Sequence, residues 1–564
     1  MKIYCDFNVL IQIGKLKKEL FRYYKQFSSS GIYNYQINTY FYKKSTPMRN
    51  TIYILFIGIL ISMSSCRKDF AFEPSSGKLG FSKDTVYLDT VFTNIGSSTY
   101  TLKVYNNSNN DILIPRIQLG KGATSKYRMT IDGMRGENGK IFNNVELLAK
   151  DSMYVFIETT AEIADANPTD FLYTDQIQFD SGSKLQNVEL VTLIQDAVFL
   201  YPQKYVDAST GAITYESLPF DEDQIYGFIL DHNDHNDEYH WTNAKPYVVY
   251  GYAGIPSGET LNIDPGARIH FHANSGIIVG NGGSLKVNGE VSTTTALEKE
   301  VIFEGDRLEP GFSDVPGQWG LIWISQGSVN NQINHLTLKN ATVGIFVGDV
   351  QNAANTTLKI DNSQIYNCSN VGLLARTAKI EGSNLVVNSA GQASIACTEG
   401  GSYLFKHCTF NNNWQSSKQV AVLVSNYKKN GEIITPIALN QAEFDNCIIY
   451  GSNQVEMLLD KKDGAVFNYK FNSCLMKFNN VANQFTNNPL YLFDTDAAHY
   501  TNIIRNQDPK FLNSNKNKLN IDNSSAAFAN GNPTYLIATD ILGVPRTLPP
   551  DLGAYKNAPF PVIP

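Results

Sequence analysis

At 564 residues the chain exceeds one ordinary compact core, which leaves several domains or an elongated repeat architecture. Its formal charge of −7 conceals a split: nine of the 46 basic side chains but two of the 53 acidic ones fall in the first 65 residues, leaving 37 basic against 51 acidic groups, or −14, on the remainder. A net negative body excludes nucleic acid as a partner, because phosphate binding needs a dense basic patch, while extracellular polymers and divalent cations stay compatible.

The N-terminus reads as an address. Residues 51–61 form an apolar run preceded by Arg49 and followed by Ser62-Met63-Ser64-Ser65-Cys66. The run is too short to span a bilayer comfortably and has the order of a signal peptide. Small residues directly before Cys66 resemble the lipobox of bacterial lipoproteins, with Met63 where Leu is usual. That resemblance implies that the Cys66 thiol is acylated, becomes the mature N-terminus and anchors the chain to the membrane. Residues 1–65 are then a signal region, residues 66–76 a lipidated linker, and Met48 a more sensible initiator than Met1. The alternatives are a basic cytoplasmic tail over residues 1–47 and a plain signal-anchor helix with an incidental Cys66.

From residue 77 to 197 the pattern turns to short alternating segments, including residues 85–88, 100–105 and 153–158, separated by turn-rich stretches such as residues 106–110. Period-two alternation with that punctuation predicts half-buried antiparallel strands, and six to eight of them in this length fit an immunoglobulin-like sandwich. The stretches 89–94 and 102–107 resemble the Ig-like modules of Bacteroidetes surface proteins, which implies a spacer. The tripeptides beginning at Asp84, Asp89 and Asp151 have the form of that phylum's O-glycosylation sequons, a form that is also frequent by chance.

Residues 198–246 read as a linker. Within it Asp231, His232, His235 and His240 offer imidazoles among carboxylates that can collect a metal ion, without a recognisable ligand spacing. A polar linker has the same composition.

From residue 247 to 500 internal repetition predicts a right-handed parallel β-helix. Apolar pairs five residues apart recur as Ile333/Leu338, Ile360/Ile365, Ile380/Leu385, Phe405/Phe410, Phe444/Ile449 and Phe471/Met476. Between them recur Asn, Ser, His or Cys, which suit an inside corner. Asn340, Asn367, Asn388, Asn412 and Asn479 follow where the chain must turn. Further strands follow at residues 344–347, 372–375, 420–424 and 455–459, and an excursion fits near residues 426–441. Five cysteines of this region, Cys368, Cys397, Cys408, Cys447 and Cys474, are odd in number and irregular in spacing, so they read as buried thiols rather than disulfides. The segments 246–251, 261–271, 282–289, 301–306 and 317–323 closely resemble Bacteroidetes right-handed β-helix surface proteins, whose fold is that of pectate lyases. Residues 501–564 carry Asp508-Pro509-Lys510-Phe511 and Asp551-Leu552-Gly553-Ala554-Tyr555, which look like the segment that closes the last rung of such helices.

The pectate-lyase resemblance makes cleavage of an acidic polysaccharide the sharp hypothesis. A lyase needs a basic residue near carboxylates that hold calcium or a uronate, and a hydrolase needs paired carboxylates. The position after the first apolar residue of each pair reads Asn334, Asp361, Glu381, Lys406, Asp445 and Asn472, an outward column that is either a carbohydrate or calcium site or a solvated face. Asp361, Glu381 and Asp445 are its carboxylates, and Arg376 is the Arg available as a base. The Asn-Thr-Asp, Gly-His-Gly and Arg-Ile-Lys pattern of polygalacturonases is absent. Trp241, Trp319 and Trp323 suit either sugar stacking or burial in the first coils. The expectation is an envelope lipoprotein on the outer membrane, periplasmic or surface-exposed, whose partners are the membrane and an extracellular glycan or other surface proteins. Its role is structural, adhesive or glycan-binding without catalysis, no cofactor is required although calcium is compatible, and the alternative is a polysaccharide lyase or glycoside hydrolase.

Overall fold

The computed structural model describes residues 71–220, 223–348 and 355–561; Met48, the apolar run and Cys66 lie outside the described residues. The chain is all-β and divides into two compact units at Asp196 and Ala197.

The first unit, residues 71–196, is built from two sheets around one apolar core. One sheet runs in the order Glu73–Pro74, Ile112–Leu119, Leu172–Phe179, Gln186–Gln195, Thr85–Phe92, with Ile141–Leu147 also paired to Ile112–Leu119. The other runs Gly80–Phe81, Tyr100–Tyr105, Ser152–Thr159, Tyr127–Ile131. Alternation sorts side chains between core and solvent, as along Ser152–Thr159, where Met153, Val155 and Ile157 are buried while Tyr154 and Phe156 are exposed.

The second unit, residues 197–561, has a parallel β-helix-like fold. Its chain cycles through three long sheets, here called sheets 1, 2 and 3 in the order each coil visits them. Sheet 1 runs from His240–Trp241 to Tyr500–Thr501 in ten strands, sheet 2 from Val198–Leu200 to Ile504–Arg505 in eleven, and sheet 3 from Ser217–Phe220 to Met457–Asp460 in ten. Each strand lies in parallel register on the corresponding strand of the previous coil, apart from the antiparallel Ser217–Phe220. The helix starts earlier than the expected residue 247. Val198–Leu200 pairs with Tyr247–Val249, Asp223–Ile229 with Tyr252–Ile255, and His240–Trp241 with Thr260–Ile263, so the expected linker is a first coil. Its periodicity is hidden because hairpins and the polar loop 231–239 are inserted between its strands. Trp241, Trp319 and Trp323 are buried.

The corner from sheet 1 to sheet 2 is one residue in the left-handed region, occupied in successive coils by His335, Asn362, Asn384, His407, Asn446 and Ser473. Asn tolerates that conformation, and the stacked side chains bond one another. Asn384 Nδ2 donates to Asn362 Oδ1 at 2.8 Å, and Asn362 Nδ2 donates to Asn334 Oδ1 at 2.9 Å. Cys408, Cys447 and Cys474 come next and point inward. All five described cysteines are buried and free, and burial pushes the Cys368 thiol up to about 12 and those of Cys447 and Cys474 well above the usual range.

Five of the six apolar pairs hold their stacking positions; one slips. Ile360 pairs with Gly382 and Ile365 with Val387, so the third pair is Gly382/Val387 rather than Ile380/Leu385. Gly382 hides the position because the neighbouring ring fills its place: a Cβ there would meet Phe405 Cδ1 at 2.9 Å. The excursion after Val420–Ser425 is an antiparallel hairpin, Tyr427–Asn430 on Ile433–Pro436.

Residues 501–564 were expected to cover the last rung. An aromatic cluster comes there earlier in the chain: Phe478, Phe485, Tyr491 and Phe493 pack on one another, and Phe493 lies against Tyr500. From Phe511 onward the chain turns back along the outer face of sheet 2, where Leu519, Ile521, Ile541, Leu552 and Tyr555 cover Val386, Ile448 and Leu475. Arg546 Nη2 donates to Asn384 Oδ1 at 2.8 Å and Asn446 Nδ2 to the Asn532 carbonyl at 3.0 Å, tying this strap to the corner ladder.

Candidate functional site

With sheet 2 strapped over, the long polar face of the helix is the outside of sheet 1. Its strands alternate inward apolar and outward residues that are mostly polar, so two rows run along the helix, interrupted at Leu404 and buried at Asp445 and Asn472. One row stacks Lys286, Gln332, Lys359, Glu381, Leu404, Glu443 and Lys470. The other stacks Asn288, Asn334, Asp361, Ser383, Lys406, Asp445 and Asn472.

The two-residue slip at Gly382 moves Glu381 out of the expected column. Ser383 stands between Asp361 and Lys406, and Glu381 belongs to the neighbouring row beside Lys359. Ser383 was missed on sequence for that reason; the equal five-residue spacing of Gly382 and Val387 is the signal that finds it. Asp361 accepts a hydrogen bond from Ser383 Oγ and lies 3.5 Å from Lys359 Nζ, while Glu381 accepts from Thr356 Oγ1 at 2.6 Å. Asp445 is separated from Asp361 by three strand steps, about 14 Å. That exceeds the roughly 9.5 Å limit for carboxylates flanking one glycosidic bond. Asp445 is also buried, and burial pushes its carboxyl up to about 6 against the opposing hydrogen bond from Asn472 Nδ2 at 2.6 Å. Asp361 and Glu381 are diagonal neighbours on adjacent parallel strands, one strand spacing across and two residues along, which puts their Cα atoms roughly 8 Å apart.

Arg376 is not on this sheet. It ends the sheet 3 strand Val371–Arg376, with Nε 3.7 Å from Glu399 Oε1 and its guanidinium 5.5 Å from the Phe346 ring centroid. Arg376 and the expected carboxylates therefore lie on different faces of the helix.

The histidine-rich loop of the first coil distributes its imidazoles. His232 lies between Asp237 Oδ1, 2.8 Å from Nδ1, and Glu259 Oε2, 3.1 Å from Nε2. His235 Nδ1 is 2.9 Å from Glu238 Oε1, and His240 Nε2 is 2.9 Å from Asp264 Oδ2. Asp231 accepts from the backbone and side chain of Asn233. The four expected ligands thus take separate partners, and among the described residues no three His, Cys, Asp or Glu side chains are grouped to hold a metal ion.

The hydrogen bond with Glu259 is the main force raising the His232 pKa above 6.5. A raised native value means the clamp is complete below the ordinary histidine value and is lost as pH rises through the raised one. An NMR titration of the His232 ring is expected to show a midpoint above 6.5; a midpoint at or below 6.5 contradicts the clamp.

No family model matches the chain, and no curated protein matches it. Among solved structures, the catalytic unit of a thermostable GH87 α-1,3-glucanase from Streptomyces thermodiastaticus strain HF3-3 is similar over 66% of this chain and 74% of its own, at 9% identity and a TM-score of 0.24. The PapD-like domain 7 of human CEP192 matches over 23% of this chain and 92% of its own, at 14% identity and a TM-score of 0.14. A family 123 glycoside hydrolase from Clostridium perfringens matches over 22% of this chain and 30% of its own, at 8% identity and a TM-score of 0.15.

Proposed function

We propose that the protein is an exported lipoprotein, anchored through Cys66, that binds an extended polysaccharide along the outer face of sheet 1 without cleaving it. The observation that supports binding is the pair of polar rows, in which Asn, Gln, Ser, Lys, Asp and Glu repeat at one strand spacing over the length of the helix. A regular chain of hydroxylated rings meets such a ladder with a polar partner at most steps. Right-handed winding follows from the near-universal hand of parallel crossovers. The two-sheet first unit, which precedes the helix in the chain, serves as an Ig-like module.

The test is affinity electrophoresis in acidic polysaccharides, with a parallel assay for new unsaturated or reducing ends. Retention without new ends is expected, and the Lys359→Ala/Lys406→Ala variant should weaken retention about tenfold, the scale of one or two charge-assisted contacts. No retention in any polymer sinks the binding reading. Mass spectrometry of the mature protein should find an acylated Cys66 at the N-terminus, and an unprocessed chain removes the anchor.

The second reading, a hydrolase, rests on the diagonal Asp361 and Glu381, two carboxylates on adjacent strands of one face. New reducing ends that vanish in Glu381→Gln establish it in place of the first.

A further inference from the structure

Away from sheet 1, the corner where sheet 2 passes into sheet 3 carries a row of aromatic rings at the first coils. Tyr215 and Tyr226 meet edge to face, with centroids 5.7 Å apart and planes at 83°, yet keep 50% and 45% of their exposure. The Tyr226 ring lies against Gly251, whose φ is +74° and where a Cβ would stand 2.9 Å from Tyr226 Cδ1. Any side chain at 251 would push this ring away. The preceding residue, Tyr250, stacks on His272 at 4.4 Å, and His272 Nδ1 lies 2.6 Å from Asp306 Oδ2. His272 is about half exposed, whereas Asp306 is mostly covered.

These side chains come from separate segments: Tyr215 from the strand Ile213–Tyr215, Tyr226 from sheet 3, and Tyr250, His272 and Asp306 from the ends of three successive sheet 2 strands. Half-exposed tyrosine rings, apolar on their faces and polar at the hydroxyl, suit a contact that is dry on one side and wet on the other. The chemistry beside them is polar: phenol hydroxyls at the ring rims, an imidazole and a carboxylate. A saturated sugar ring matches both parts, with a face of C–H groups for the aromatic planes and a rim of hydroxyls for His272 and Asp306. The Asp306 carboxylate is already bonded to His272, which leaves it less available to a cationic ligand.

We infer that the right-angled corner of Tyr215 and Tyr226, flanked by Tyr250, His272 and Asp306, is a binding subsite for a neutral pyranose ring of a glycan. It is separate from sheet 1, so it can hold one part of a polymer while the polar face holds another, and two linked contacts strengthen attachment through effective concentration.

Saturation-transfer NMR on the full chain with cellohexaose, xylohexaose and mannohexaose tests the subsite. At least one is expected to receive saturation, with affinity reduced tenfold or more in Tyr215→Ala and in Tyr226→Ala and retained in Tyr215→Phe. Tyr215 sits on an exposed hairpin, so its variant reports even where Tyr226→Ala misfolds. No transfer to any of the three, or unchanged affinity in Tyr215→Ala, overturns the subsite. Lys359→Ala/Lys406→Ala addresses the polar face and is read by retention in acidic polymers. Loss of acidic-polymer retention there, with the hexaoses still bound, separates failure at one site from failure at the other.

Discussion

Phe444→Ala is expected to remove about 3–5 kcal/mol of stability, the usual range for deleting a fully buried phenyl ring. Phe405, Phe444, Phe471 and Tyr500 occupy one inward position on consecutive strands of sheet 1. Their centroids are 5.5, 4.9 and 5.7 Å apart, and the last two pairs are within 9° of parallel. Phe410 closes the side of the stack edge-on at 6.0 Å from Phe444. A hole in the middle of this column cannot collapse, because the strand ladders above and below fix the rung spacing. Each coil contacts only its neighbours, so the loss should concentrate between residues 401 and 476. Hydrogen exchange is the appropriate measurement, and faster exchange confined to these rungs is expected. A change equivalent to less than about 1 kcal/mol, or one spread evenly over the helix, contradicts the column as a determinant.

The same column shows what the residues alone reveal. Five inward pairs were legible because Ile, Phe, Leu and Met at a spacing of five fix both parity and register. The third pair was displaced by two residues because Gly382 contributes no apolar side chain, and Phe405 occupies the space from the next rung. Parity survived, since a slip of two leaves every side chain on its face, but register did not. Glu381 was therefore stacked with Asp361 when Ser383 belongs there. The first coil was invisible for another reason: its strands are separated by unequal insertions, and periodicity needs equal ones. The strap from Phe511 onward has almost no regular strand of its own, and its apolar residues find sheet 2 only through the fold. The aromatic corner was equally illegible, because Tyr215, Tyr226, Tyr250 and His272 share no sequence spacing and meet only through the coil.

Glu456→Gln is expected to stabilise the protein in alkaline solution and to do little in acid. Glu456 stands where the chain enters sheet 3 and is fully buried. Its Oε1 accepts the Asn453 backbone N–H at 2.6 Å, in space left by Gly451, where a Cβ would lie 2.2 Å from that oxygen. Its backbone carbonyl accepts from Ala421 and Val422, joining two coils. Burial pushes the carboxyl from 4.5 up to about 8, with the Asn453 hydrogen bond and the Lys477 charge opposing. Between those values the native state holds a proton that the unfolded chain has released, so stability falls as pH rises from about 4.5 to about 8 and levels off above it. The full loss is on the order of 3–5 kcal/mol. Gln keeps the acceptor for Asn453 and has no proton to lose, so the variant should match the wild type near pH 5 and exceed it by a few kcal/mol near pH 9. Denaturant midpoints of both proteins across this range measure the difference. Parallel pH profiles in the two would show that Glu456 is not the titrating group.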